Sequence, residues 1–154
     1  MSRNKIVLLI FLAVFIAVQF IPSVRNESGQ VDKNDISFTL NTSSQVKAIL
    51  LNSCYDCHSN NTRHPWYAKI QPVRYMLDKH IRDGKENLNF SEFGEYTVRR
   101  QLNKLHSIAN AINDGTMPLS SYTLMHHSAE LTADEKALLL NWLKEAQDSL
   151  QLRR

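Results

Sequence analysis

The chain opens with an apolar run at residues 6–21, interrupted only by Gln19 and preceded by Ser2-Arg3-Asn4-Lys5. A short basic stretch before such a run reads as an export signal. The basic flank stays in the cytoplasm, which sends the remainder across the membrane. Sixteen residues are short for a bilayer span and slightly long for a signal-peptide core. The following Gln19-Phe20-Ile21-Pro22-Ser23-Val24 offers no pair of small residues for cleavage and no cysteine for a lipoprotein anchor. The expectation is an uncleaved N-terminal membrane anchor, with a cleaved signal as the alternative.

Polar residues then dominate 25–41, which reads as a tether. Its end, Ile36-Ser37-Phe38-Thr39-Leu40, alternates apolar and polar positions. That pattern predicts an extended arm laid across the domain, or else a short strand.

From residue 42 the period becomes helical. Thr42-Ser43-Ser44-Gln45 fits a capping box, and Val46, Ile49 and Leu50 form one apolar face of a helix running into Cys54. Pro72 opens a second helix with Val73, Met76, Leu77, His80 and Ile81 inward and Gly84 as its cap. A third spans about 95–113 on Val98, Leu102, Leu105, Ile108, Ala109 and Ile112, and Gly115 ends it. Thr132-Ala133-Asp134-Glu135 is a second capping box. It starts a helix with Leu139, Trp142, Leu143, Ala146 and Leu150 on one face and Arg153 and Arg154 at its end. The fold class is all-α, a bundle of about four helices behind an N-terminal transmembrane or signal helix. Residues 1–24 are the signal or anchor, 25–41 the linker and arm, and 42–154 the folded domain.

Composition changes little in this picture. Of 154 residues, 43% are hydrophobic and 21% charged, as in ordinary globular proteins. Arg3, Lys5 and Arg25 against Glu27 account for two of the three net positive charges. The remainder is nearly neutral, which argues against a nucleic-acid partner.

The chemistry concentrates in Cys54-Tyr55-Asp56-Cys57-His58, which holds both cysteines of the chain. This is the pattern of a c-type haem attachment site. Two intervening residues let one turn of chain present both sulfurs to one porphyrin edge. The histidine that follows lies under the iron as proximal ligand. A zinc site would need further cysteines or a spaced histidine pair, and the chain has no other cysteine. A thioredoxin-like dithiol would want a preceding strand, whereas the pattern before Cys54 is helical.

Met117 precedes Pro118 in a predicted loop. A soft, weak thioether donor must be held at the iron by its loop, so Met117 is the candidate distal ligand, with a packing methionine in a turn as the alternative. His126 is its main rival, and Met125 and His127 are lesser ones. Met76 and His80 read as core or core-edge residues first. Trp66 and Tyr67 read as a haem-packing or core pair. His64 reads as a surface or supporting residue. Arg99, Arg100 and Lys104 read as a solvated helix face, or else as a docking patch for an acidic partner.

Taken together, these motifs resemble the cytochrome c superfamily. More specifically they resemble the haem-binding domain family of small, N-terminally anchored c-type cytochromes of Bacteroidetes-type bacteria. The matching residues are Asn52 through Thr62, Pro65-Trp66-Tyr67, Leu88 through Glu92, Met117-Pro118-Leu119 and Tyr122 through His126. The resemblance covers about 41–150. It implies one covalent haem c, a mostly helical cytochrome-like fold around it, and a periplasmic setting.

The functional expectation is a mono-haem electron carrier on the periplasmic side of the inner membrane. Its haem is attached through Cys54 and Cys57, with His58 and Met117 as axial ligands. No catalytic cluster stands out, so the reading is not an enzyme. A haem sensor or peroxidase-like protein with a labile distal ligand is the alternative. The partners are the membrane and unidentified redox proteins.

Overall fold

The computed structural model describes residues 2–23, 25–30 and 33–153. Met1, Val24, Val31, Asp32 and Arg154, which fall in the expected anchor, linker and basic tail, lie outside the described residues. The α-helices are α1 (Arg3–Val18), α2 (Ile36–Thr39), α3 (Ser44–Ser53), α4 (Tyr55–His58), α5 (Val73–Asn87), α6 (Val98–Asn113), α7 (Ser120–Thr123) and α8 (Ala133–Gln151). Single 3-10 segments occupy Trp66–Lys69, Phe90–Glu95 and His127–Ala129. No strand forms among the described residues. One isolated antiparallel bridge pairs Glu27 with Asn61. Beyond α1, the helices longer than two turns are α3, α5, α6 and α8, with 10, 15, 16 and 19 residues. The all-α class therefore stands.

The core lies where α6 and α8 meet α3 and the Phe90–Glu95 turn. Leu105, Leu139, Leu143, Leu50, Phe90 and Phe93 are essentially inaccessible to solvent. Each such side chain contributes about 1.5–3 kcal/mol relative to exposure. All five residues of the α8 stripe are buried. Its start is fixed by the expected capping box, in which Thr132 Oγ1 accepts from Glu135 N–H and Glu135 Oε2 accepts from Thr132 N–H. The Trp142 indole donates to Asn41 O at 3.1 Å, tying α8 to the start of α3.

Several expectations need correction. The arm at 36–40 is not extended. Asp35 caps a helical turn, and Ile36 and Leu40, four residues apart, are both buried. Five residues of alternation cannot separate period 2 from an i, i+4 pair. The α3 cap is Ser43 and not Thr42, because Ser43 Oγ accepts from Val46 N–H. The third helix starts at Val98 behind a Thr97 cap, after the separate Phe90–Glu95 turn. Gly84 does not end α5, which continues to Asn87. On α5 only Ile81 is buried, and Val73 and Met76 are exposed. Trp66 is also exposed, at 72%.

The polar stretch 25–30 lies against the domain. Asn26 Nδ2 donates to Ser59 O at 2.7 Å and to Thr62 Oγ1 at 2.9 Å, and Lys85 Nζ donates to Asn26 Oδ1. Helix α1 buries none of its residues. No helix among the described residues is long and apolar enough to cross a membrane.

Candidate functional site

The Cys54–His58 motif is built by a break between two helices. α3 stops at Ser53, and Cys54 leaves helical geometry at φ −129°. The Cys54 carbonyl then accepts from Cys57 N–H at 3.2 Å and His58 N–H at 3.0 Å, which winds α4. Positions three apart on such a turn are neighbours on one side, so both free thiols sit together. Burial, and then the neighbouring Cys57, push the Cys54 thiol up to about 12. Burial, and then the Asp56 charge, push Cys57 up to about 11. Both sulfurs are therefore protonated thiols at neutral pH.

His58 is oriented by backbone. Its Nδ1 lies 3.0 Å from Gly84 O and 3.1 Å from Leu88 O. Both partners only accept, so Nδ1 carries the proton and Nε2 keeps the lone pair. Burial lowers the His58 pKa, against the opposing effect of the two carbonyl bonds, and keeps the ring neutral. Gly84 makes this possible. A Cβ there would lie 2.7 Å from Cys57 O. Only glycine lets α5 approach α4 closely enough to bring its carbonyl to the ring. Phe90 packs against the His58 ring with centroids 5.9 Å apart.

The motif opens on two adjacent cavities, of about 400 Å³ and about 240 Å³. Ser53, Cys54, His58, Asn87, Met117 and Pro118 line both. The larger also takes in Cys57, Lys79, His80 and Tyr122, and the smaller takes in the apolar Phe90, Ile108, Ile112 and Leu131.

Met117 is brought to the cavity by the end of α6. Gly115 adopts φ +65°, a left-handed conformation that ends the helix as expected. Ala111 O then accepts from Thr116 N–H at 3.0 Å and Met117 N–H at 3.2 Å. Met117 is 37% exposed.

Its rivals lie elsewhere. His126 lines neither cavity. It stacks on Tyr122 with centroids 4.3 Å apart, and its Nε2 is bonded to the Tyr67 hydroxyl. Met125 and His127 are exposed and line neither cavity. His64 Nδ1 lies 3.1 Å from Thr62 O and 3.3 Å from Glu27 Oε1, away from the site. Met76 is exposed, and His80 stands on the wall of the larger cavity.

Some site residues were not legible in the sequence. Asp56, 7% exposed, accepts from Arg63 N–H at 3.0 Å and Nε at 3.1 Å on Oδ1. On Oδ2 it accepts from Arg63 Nη2 at 3.1 Å and from the Tyr122 hydroxyl at 2.6 Å. This clasp joins the interior of the Cys-His motif to the loop after Met117. A carboxylate between the two cysteines with an arginine seven residues on is the only local sign of it. The Leu88–Glu92 stretch is also tied in. Asn60 N–H donates to Ser91 Oγ at 3.1 Å, and Asn89 Nδ2 donates to Asn60 Oδ1 at 2.9 Å.

The donor set fits haem. Two thiols, a neutral imidazole with its free nitrogen fixed, and a thioether line one apolar-walled space. Lys104 stands on the smaller lobe, where an acidic substituent of a porphyrin would find a cation, whereas Lys79 on the larger lobe is ion-paired with Asp83. No curated protein and no solved structure matches the chain. The family model described as haem-binding domain matches residues 13–145, most of the chain, and the protein belongs to that haem-binding domain family.

Proposed function

We propose that this protein is a periplasmic mono-haem c-type cytochrome that carries electrons. Cys54 and Cys57 supply the thiols for two thioether links, His58 Nε2 is the proximal donor, and Met117 Sδ is the distal one. Haem held by these residues would supply a one-electron change of oxidation state. The residues around it do the rest. The Gly84 and Leu88 carbonyls hold His58 in the required tautomer and strengthen it as a donor. Phe90, Ile108, Ile112 and Leu131 keep one lobe dry. Arg63 and Tyr122 fix the turn that carries both cysteines. The chain acts as a carrier and not a catalyst, with redox proteins as partners and no nucleic acid. α1 and the apolar residues just after it anchor the domain on the periplasmic face of the inner membrane.

The observation that carries this reading is the His58 ring. Its Nδ1 is satisfied twice by backbone carbonyls, and it lines the same cavities as Cys54 and Met117. The test is optical spectroscopy in both oxidation states after expression with a haem c maturation system. The haem should resist acid–acetone extraction. Met117→Ala should shift both spectra and open the ferrous iron to carbon monoxide. Ready carbon monoxide binding by the wild type, with a spectrum unchanged in Met117→Ala, overturns the carrier reading. That outcome is the one expected of a haem sensor, which the 37% exposure of Met117 favours as the second reading.

A further inference from the structure

We propose that the domain itself rests on the lipid surface through an apolar rim formed by Trp66, Ile70, Val73 and Met76, beside the end of α1. This rests on the membrane anchoring proposed above. Helix α1 has 16 residues. At 1.5 Å per residue that is about 24 Å, some 6 Å short of a hydrocarbon core of about 30 Å. Helix α1 does not reach across by itself, and an apolar segment too short for the bilayer keeps its flanking groups at the interface.

Here the flanking groups are fixed in place. Gln19, just after α1, uses its side-chain amide to clasp the backbone of Gln71. Oε1 accepts from Gln71 N–H at 3.0 Å, and Nε2 donates to Gln71 O at 3.3 Å. Arg74 Nη2 donates to Ser23 O at 3.0 Å. The apolar helix therefore ends against the start of α5, not on a free tether. Trp66, Val73 and Met76 are residues that the helical pattern or aromatic content would place inside, and Ile70 lies between them in the chain. Instead Trp66 is 72%, Ile70 39%, Val73 43% and Met76 55% exposed. Phe20, next to the clasping Gln19, is 81% exposed.

Exposed apolar groups gathered in this way mark an interaction surface. The clasped apolar helix says which surface it is. Tryptophan at the junction suits the headgroup level, where its ring is apolar and its N–H remains wet. The consequence concerns the haem cavity. α5 carries Val73 in its first turn and Lys79 and His80 on the cavity wall. Lys79 is three residues past Met76 and six past Val73, which places the cavity wall about 5–9 Å along the helix from the rim.

The experiment uses the full-length haem-loaded protein in vesicles of phosphatidylcholine and phosphatidylglycerol, with and without bromine on the acyl chains. Trp142 is buried, so the Trp66 emission is isolated by subtracting the Trp66→Phe protein. Haem quenching is the same in both lipids and drops out. Brominated lipid should lower the Trp66 emission about twofold, as expected for an interfacial ring. Val73→Glu with Met76→Glu, both at exposed positions, should restore it while the protein still floats with the vesicles. Flotation with unchanged Trp66 emission overturns the rim and leaves the anchor standing. Failure to float overturns both.

Discussion

A single glycine, Gly84, does two things for His58. Its carbonyl oxygen lies 3.0 Å from Nδ1, and its missing side chain leaves room for the Cys57 carbonyl, which a Cβ would approach to 2.7 Å. Gly84→Ala must therefore push α5 from α4 and pull the carbonyl off the ring. Overpacking costs about 1–3 kcal/mol, and a lost hydrogen bond adds about 1 kcal/mol. The haem-loaded variant should melt several degrees lower and show an altered midpoint potential. Gly29→Ala is the control. It is strained by its φ of +69°, nothing lies within 4 Å of the new Cβ, and Gly29 lines neither cavity. It should lower the melting temperature and leave the midpoint potential unchanged.

Asp56 is buried, and its partners are unequal. Arg63 is largely exposed, whereas Tyr122 is half-buried on the cavity wall. Burial and the Asp56 bond raise the Tyr122 pKa, so the hydroxyl stays a donor through neutral pH. Tyr122→Phe removes a bond to a charged acceptor, which costs about 1.5–3 kcal/mol. Arg63→Ala leaves Asp56 with fewer donors and should cost a similar amount. Both act on one carboxylate, so a double-mutant cycle in chemical denaturation should show coupling, not additivity. An additive cycle would mean that the two bonds are independent.

The framework was legible because its signals are local and periodic. Thr132 and Glu135 announce α8, and the stripe from Leu139 to Leu150 recurs at the helical period over twelve positions with every member buried. Cys54, Cys57 and His58 are legible because covalent chemistry fixes their spacing. What was missed depends on contacts between distant segments. Gly84 has the composition of a helix end but is a point of close approach, and only the position of Cys57 distinguishes the two. Val73 and Met76 carry a helical stripe that no neighbour covers. Trp66 was assigned inward from its size alone. The bonding of His126 to Tyr67, fifty-nine residues away, removes it from the cavity and is invisible in the adjacent His126-His127 pair.

The junction of α6 and α8 predicts a contrast between packing and capping. Leu143 is fully buried, so Leu143→Ala should cost about 2–5 kcal/mol through lost transfer energy and a cavity. Thr132→Ala breaks the capping box at an exposed helix start and should cost about 1 kcal/mol. Thermal unfolding of both variants with haem bound should rank them in that order, with the absorption spectrum unchanged in the Thr132 variant.

The cysteines give a pH dependence that reports on their chemical state. In the folded chain without haem, the Cys54 and Cys57 thiols are raised to about 12 and about 11 from 9.0. Above pH 9.0 the unfolded chain loses these protons before the folded one does, so stability falls as pH rises through about 11 to about 12. His58 works from the other side. Its folded pKa is lowered from 6.5 by burial, so the unfolded chain takes up the proton first, and stability falls as pH drops below 6.5. Thioether sulfur has no proton to lose, and a coordinated imidazole nitrogen is not free to take one. Tyr55 and Tyr122, also raised, titrate in both forms and leave a residual alkaline slope. Denaturant unfolding from pH 5 to pH 11 should therefore give a stability curve that is flatter at both ends for the haem-loaded protein than for the thiol form. If loading flattens only the acid end, His58 is ligated but the sulfurs remain thiols, and the covalent links are wrong. If neither end changes, the Cys54–His58 turn is not where the haem is held.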